Sequence, residues 1–360
     1  MTDQTETRLR RERVRASVRE ARVNGFVVTA RPNVRYLSGF TGDHGALLLT
    51  ADRELLFTDP RYETQVAEES DCEVKIAKGP LIRELSSSIK RLRLKSLGFE
   101  HSRISFEDYA HLKEFTTGIR LTALKDIVEG LRVVKSAAEI ATIKASVRLN
   151  SAALEHALRH FKLPMTEMDL AAEIEYRMRR LGADGPAFET IVASGKRSAL
   201  PHARPADLPI QQDELLLIDM GANVAGYASD MTRTHAVGKL GSKRKRMYRA
   251  VLESQLAAID TVRPGAPCAS VDRAARDVLR GFGMEQLFIH STGHGVGLEI
   301  HERPRVGRKE NTKLETGMVI TIEPGVYEEG FGGVRIEDTV LVTAGGCEVL
   351  TTTRKELVVL

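Results

Sequence analysis

Cysteine is scarce in this 360-residue chain. Cys72, Cys268 and Cys347 are scattered, odd in number and free of any CxxC spacing. That argues against a disulfide framework and against a thiolate zinc site. Long apolar runs are missing as well. None approaches the ~20 residues of a membrane span, and the opening MTDQTETRLRRERVR has no apolar core of the signal-peptide kind. The expectation is a cytoplasmic protein with no membrane partner. Nor does either sign of charge dominate: 53 basic against 49 acidic residues leave a net +4. So small an excess gives no case for nucleic acid as a partner. No Gly/Ser-rich linker and no residue-level repeat divides the chain. What is present, 42% hydrophobic and 28% charged residues, is the composition of a soluble globular protein. The length suits one large domain or two of ordinary size.

The first third reads as a mixed α/β domain. Residues 7–23 alternate charge with Leu9, Val14, Val18 and Val23, the pattern of an arginine-rich amphipathic helix ending near Asn24-Gly25. Because Glu12, Glu20 and Asp3 interleave with the arginines, its basic side is expected to be a solvated outer face. Strand-like runs follow at 26–29, 46–50, 54–58, 73–77 and 96–99, with helical patterns at 62–69, 81–92 and 106–115. The pattern changes near residue 133, so the domains are set at 1–132 and 133–360. Ser136-Ala-Ala-Glu139 has the form of a capping box and opens a long helix over 137–161. Further helices are predicted at 166–181, 242–262 and 270–282. The KRKR run at 243–246 reads as a solvated face of the third. Each helix pair precedes a hairpin, which suggests two halves of duplicated architecture.

The chemistry concentrates in those hairpins. LLLIDMGANVAGYASDMTRT (215–234) reads as strand, turn, strand. If it is symmetric about its acids, Asp219 and Asp230 oppose each other, with Cβ atoms roughly 4.5–5.5 Å apart. Carboxylates so close repel unless a proton or a cation lies between them. The second hairpin joins MVITIEPGVY (318–327) to GVRIEDTVLV (333–342). Glu323 and Glu337 lie equally far from Gly330, and Arg335 shares a face with Glu337. Between the hairpins, His290, His294 and His301 lie in one stretch with Gly293, Gly295 and Gly297, which permit a tight extended backbone beside a site. A lone histidine or acid here would more often be a hydrogen-bonded or solvated residue. Together, four carboxylates and a neutral imidazole balance two divalent cations. Such ligands suit Mn²⁺, Zn²⁺, Co²⁺ or Fe²⁺, and a metal pair ~3.5–4 Å apart can hold a bridging hydroxide and polarise a carbonyl.

IDMGANVAGYASDMTRT, STGHGVGLEIHE, TIEPGVY and GVRIEDTV, in this order, resemble the dinuclear-metal pita-bread peptidases, most closely the Xaa-Pro dipeptidase (prolidase) and aminopeptidase P branch. VRYLSGFTG (34–42) and LFTDPRYETQ (56–65) resemble the creatinase-like N-terminal domain of that branch. The resemblance implies an α/β (α+β) protein: a creatinase-like domain over 1–132, then a pita-bread catalytic domain over 133–360 with pseudo-twofold helix–hairpin halves. It implies metal ligands at Asp219, Asp230, His294, Glu323 and Glu337, and active-site histidines at His202, His290 and His301. Glu323 would pass protons, and Arg335 and Tyr327 would form a supporting relay. The residue after His202 is more often glycine in the family than the Ala203 found here. The implied activity is hydrolysis of Xaa-Pro bonds at the N-terminus of dipeptides or short peptides, with two divalent ions, Mn²⁺ first and Co²⁺ or Zn²⁺ as alternatives. The implied partners are a proline-containing peptide and a second copy in a homodimer. The competing expectation is a metal-free pita-bread module that binds peptide or nucleic acid, because fold alone does not imply function.

Overall fold

The computed structural model describes residues 4–360; Asp3, counted among the interleaving acids, lies outside them. The chain divides into two compact units, Met1–Leu131 and Arg132–Leu360. No helix among the described residues is long and apolar enough to cross a membrane.

The first unit begins with the helix Gln4–Glu20. Its arginines divide: Arg8, Arg13 and Arg19 are exposed, as expected of a solvated face, whereas Arg10 and Arg11 are buried. Arg11 is fully buried, donating to Leu37 O at 2.8 Å and to both oxygens of Asp71, with Glu54 beside its Nε at 2.7 Å. Arg10 lies 3.9 Å from the ring centre of Tyr36. Interleaved charge suggested solvation because the pairing acids, Glu54 and Asp71, are distant in sequence. The helix flanks a six-stranded mixed sheet ordered Glu73–Ile76, Glu54–Thr58, Gly45–Thr50, Gly25–Val28, Ser96–Glu100, Arg120–Leu124. The last strand, RLTAL, is not among the expected strands.

In the second unit the capping box is formed. Ser136 Oγ accepts from Glu139 N at 3.2 Å, and the Glu139 carboxylate accepts from Ser136 N at 3.0 Å. The helix it opens, Ala137–Leu158, pairs with Glu167–Arg180; later Ser242–Thr261 pairs with Cys268–Gly281. Each pair has its own apolar core. Ala153, Leu154, Leu170 and Ile174 pack with Leu216, Ile218 and Met220. Met247, Val251, Val271 and Leu279 pack with Ile320, Ile322, Val340 and Val342. The KRKR run is largely solvated, as expected: Lys243, Lys245 and Arg246 are exposed and Arg244 is half-buried. Two of these solvated cations also meet aromatic rings, Lys243 Nζ 4.1 Å above Phe331 and Arg246 5.6 Å from Phe282.

Candidate metal centre and active site

The strand Glu214–Met220 alternates. Leu216, Ile218 and Met220 enter one helical core, so Leu217 and Asp219 point to the opposite face. Its partner is Met231–Val237, in a register that sets Thr232 opposite Asp219 and Met231 opposite Met220. The ladder resumes at Asn223 opposite Ala228 and closes at Ala225 and Gly226, both with positive φ (46° and 77°). The expected symmetry about the two acids is therefore off by two residues. Asp230 is not opposite Asp219 but diagonal to it. Diagonal neighbours share a face, with a spacing of roughly 7–8 Å. The second hairpin keeps the expected register: Ile322 pairs with Asp338 and Gly325 with Arg335, so Glu323 and Glu337 fall opposite each other about Gly330.

His294 reaches this face from the short strand Gly293–Gly295. A Cβ on Gly293 would stand 1.9 Å from Thr321 O, and one on Gly295 2.2 Å from Arg303 O, so only glycine lets this backbone enter between its neighbours. The His294 Nδ1–H donates to Gly295 O at 3.0 Å. Its Nε2 is left facing Asp230 and Glu323 carboxylate oxygens, each 3.5 Å away. That is the usual way a histidine is fixed as a ligand. Ligand atoms of Asp230, His294 and Glu337 all lie within 4.8 Å of one another.

Arg335 ties the cluster together. It donates to Asp219 Oδ2 at 2.6 Å, to Tyr327 OH at 2.7 Å and to Thr232 Oγ1 at 3.0 Å. Tyr327 OH in turn donates to His290 Nε2 at 3.0 Å, and His290 Nδ1–H donates to Ser291 O at 2.8 Å. Thr232 Oγ1 donates to Glu337 Oε2 at 2.7 Å. Behind it the buried Arg233 donates to Glu337 O at 2.6 Å and to Asp338 Oδ1 at 2.7 Å. Thr232 and Arg233 were absent from the sequence-based set, although the spacing from Asp230 places Thr232 on the site face.

The electrostatics match a crowd of acids. Burial, then Glu337, Asp219 and Glu323, raises the pKa of Asp230 well above its ordinary value. Burial, then Glu323 and Asp219, does the same to Glu337. Glu323 is pushed up to about 8 by burial, against the pull of Arg335. Burial opposes the charge of Arg335, but Tyr327, Asp219, Glu323 and Glu337 outweigh it and hold its pKa high. Burial lowers His290 and His294 to about 4, so both rings are neutral near pH 7. Two buried oxygens, Asp219 Oδ1 and Glu337 Oε1, accept no hydrogen bond among the described residues. Buried carboxylate oxygens without donors call for a cation. An oxygen-rich set with one imidazole is what first-row divalent ions take. The residues present fit a divalent metal centre.

His202 and His301 are the exposed members. The His301 ring lies 4.3 Å from that of His294. Burial, with His202 nearby, lowers the pKa of His301. Ala203, beside it, is buried with Ile191, Ala193, Leu217 and Tyr327. The Ala203 methyl group is thus accommodated in the same apolar cluster as Tyr327.

Residues 141–344 match the model of metallopeptidase family M24, and residues 10–134 match the creatinase/prolidase N-terminal domain. The chain is 37% identical to an Xaa-Pro dipeptidase of Pyrococcus horikoshii over 336 residues, which cover 93% of this chain and 95% of that one. A solved Xaa-Pro dipeptidase from Bacillus anthracis superposes with a TM-score of 0.95 at 38% identity, covering 98% of this chain and all of the other. An X-Pro aminopeptidase from Thermotoga maritima gives 0.90 at 35% identity, with the same coverage. The chain belongs to metallopeptidase family M24 and carries the creatinase/prolidase type of N-terminal domain.

Proposed function

We propose that this protein is a dinuclear-metal exopeptidase that hydrolyses the Xaa-Pro bond of dipeptides and short peptides. The observation that carries the reading is the cluster of Asp230, His294 and Glu337, with Glu323 facing His294 and Asp219 tied in through Arg335, and with buried carboxylate oxygens that lack donors. Those five residues would hold two divalent ions, Mn²⁺ first, with Co²⁺ or Zn²⁺ as alternatives. When bound, the ions supply Lewis acidity and a water whose pKa is brought to about 7.

The remaining work falls to this chain's side chains. Glu323 takes a proton from the attacking water and delivers it to the proline nitrogen as the C–N bond breaks. His202 donates to the oxyanion of the tetrahedral intermediate, as a preorganised donor does. His301 holds the carbonyl of the proline residue. His290 has both ring nitrogens engaged, by Tyr327 and Ser291 O. It therefore offers the substrate only ring surface, which suits a pyrrolidine with no N–H to satisfy. Arg335 holds Asp219 and Tyr327 in place without meeting the substrate. Family members named as dipeptidase and as aminopeptidase are about equally similar to this chain. The two activities differ in whether the proline carboxylate is bound or left open.

A homodimer in the cytoplasm, with domains at 1–132 and 133–360, completes the proposal. The family matches on either side of residue 134 are in keeping with that boundary. The test is an assay of chelator-stripped protein reloaded with Mn²⁺, Co²⁺ or Zn²⁺. Ala-Pro and Ala-Pro-Ala should be cleaved and Ala-Ala spared. Comparing Gly-Pro with Gly-Pro-Gly-Gly then separates the two activities. A protein that binds no metal and cleaves neither proline peptide would overturn the reading and favour the binding module.

A further inference from the structure

We propose that Glu167 is a positioning residue for His202, acting by clamping both ends of the segment 194–206 that carries the histidine. The proposal rests on the role given to His202 above. Glu167 opens the helix Glu167–Arg180 and is fully buried. A carboxylate sealed from water must be compensated by donors, and the donors here come from that one segment. Oε1 accepts from Ser194 N at 2.7 Å and Ser194 Oγ at 3.2 Å. Oε2 accepts from Arg197 Nε at 3.0 Å and Ala206 N at 3.1 Å. Arg197 extends the clamp by donating from Nη2 to Arg204 O at 2.5 Å. The helix backbone adds Met168 N to Ala206 O and Glu167 N to Leu208 O, each 3.2 Å. Main chain is therefore gripped on both sides of His202. Between the grips, Pro201 O accepts from Arg335 at 3.3 Å and Ala203 packs against Tyr327. None of the Glu167 bonds reaches Asp219, Asp230, His294, Glu323 or Glu337.

The other half contains a related device on different residues. Asp272, buried in Cys268–Gly281, accepts from Thr292 Oγ1 and from Arg276 Nε, each at 2.8 Å. Arg276 donates to Phe288 O at 2.9 Å and to His290 O at 2.6 Å. In each half a buried acid on the second helix pairs with an arginine to hold a segment that bears a site histidine, Glu167 by binding main-chain N–H groups itself and Asp272 through Arg276 and the Thr292 hydroxyl. The two acids occupy different turns of their helices, so the shared feature is the gripped segment. In place of Glu167 an apolar residue would fill the same space without fixing a single main-chain donor.

The test is a pair of double-mutant cycles on the metal-loaded full chain, read as kcat/KM for an Xaa-Pro dipeptide. Glu167→Gln keeps the volume but replaces one accepting oxygen with an NH₂ group. It should lower kcat/KM roughly 10- to 100-fold, mostly through kcat, as a misplaced catalytic group does. Bound metal should be unchanged. Added to His202→Ala, it should cost no more than about two-fold beyond the single variant. Added to His290→Ala, the losses should multiply. Losses that multiply with both histidines, or an unaffected Glu167→Gln enzyme, overturn the clamp. A slow His202→Ala enzyme with such multiplicative losses leaves the histidine's role standing. A His202→Ala enzyme as fast as wild type overturns that role and the clamp together. Should Glu167→Gln fail to fold, Arg197→Met, which removes the partly exposed arm of the clamp, enters the same cycles and must couple to His202 alone.

Discussion

At the scale of single residues, Thr232 shows how much a small side chain decides. Its hydroxyl donates to Glu337 and accepts from Arg335, fixing a proposed ligand and the residue that holds Asp219. Thr232→Val preserves shape and removes both bonds. It should weaken metal binding roughly 10- to 100-fold, as loss of a ligand's supporting partner does, while Thr232→Ser stays near wild type. A metal titration showing equal affinity for the Val variant and wild type would contradict this role. Thr232 was within reach of the sequence, since alternation from Asp230 places it on the site face. Glu167 was not: an acid three residues before Leu170 reads as the solvated first turn of a helix, and its donors lie far along the chain. Arg10 and Arg11 were misread for the same reason, while Arg8, Arg13 and Arg19 are exposed as expected. Pairing of Arg11 with Glu54 and Asp71 is a tertiary fact that local charge patterning does not encode.

Among elements, the hairpins were legible in kind and partly in register. The second was centred correctly because Gly330, with φ 72°, marks its turn. In the first, the turn uses Ala225 with Gly226, and Ala225 carries no turn signal. The shift of register it produced was two residues, an even number, so Asp230 stayed on the face of Asp219. A shift of one would have turned every side chain over. The glycine-bracketed strand is less forgiving. Gly293→Ala would drive a methyl group into Thr321 O. It should cost more than about 3 kcal/mol and displace His294, read as a lowered melting temperature together with lost metal. An alanine variant with both intact would refute the packing argument. The strand Met231–Val237 has a separate pH dependence. His235 is buried, neither ring nitrogen has a hydrogen-bond partner among the described residues, and burial with Arg233 nearby lowers its pKa from 6.5 to about 4. The unfolded chain then binds the proton more readily, so this residue's contribution is complete above pH 6.5 and fades as pH falls toward 4. Between pH 7 and 5 the loss is about 2 kcal/mol. Denaturant melts of His235→Leu should show that much less acid sensitivity than wild type; an equal slope would count against it.

For the whole molecule, the fold class followed from the motifs and is borne out by the family matches over both parts of the chain. A site of crowded buried acids should make stability depend on its metal. Ions at a hundred times their dissociation constant add about 2.7 kcal/mol, or roughly 5–10 °C in melting temperature for a unit of this size. A chelator should reverse the gain, and a melting curve indifferent to both additions would argue against the metal centre. The two helical cores of the second unit have a further consequence, one of timing. Each can assemble from neighbouring helices, but Leu215 and Ala236, from the first acid-bearing hairpin, belong to the core of the later half. Asp219 and Asp230 come from one half, and His294, Glu323 and Glu337 from the other. On refolding, helical signal should therefore return before metal can be captured. The delay between the two, followed in one stopped-flow experiment with a metal indicator, is a clock for the meeting of the halves.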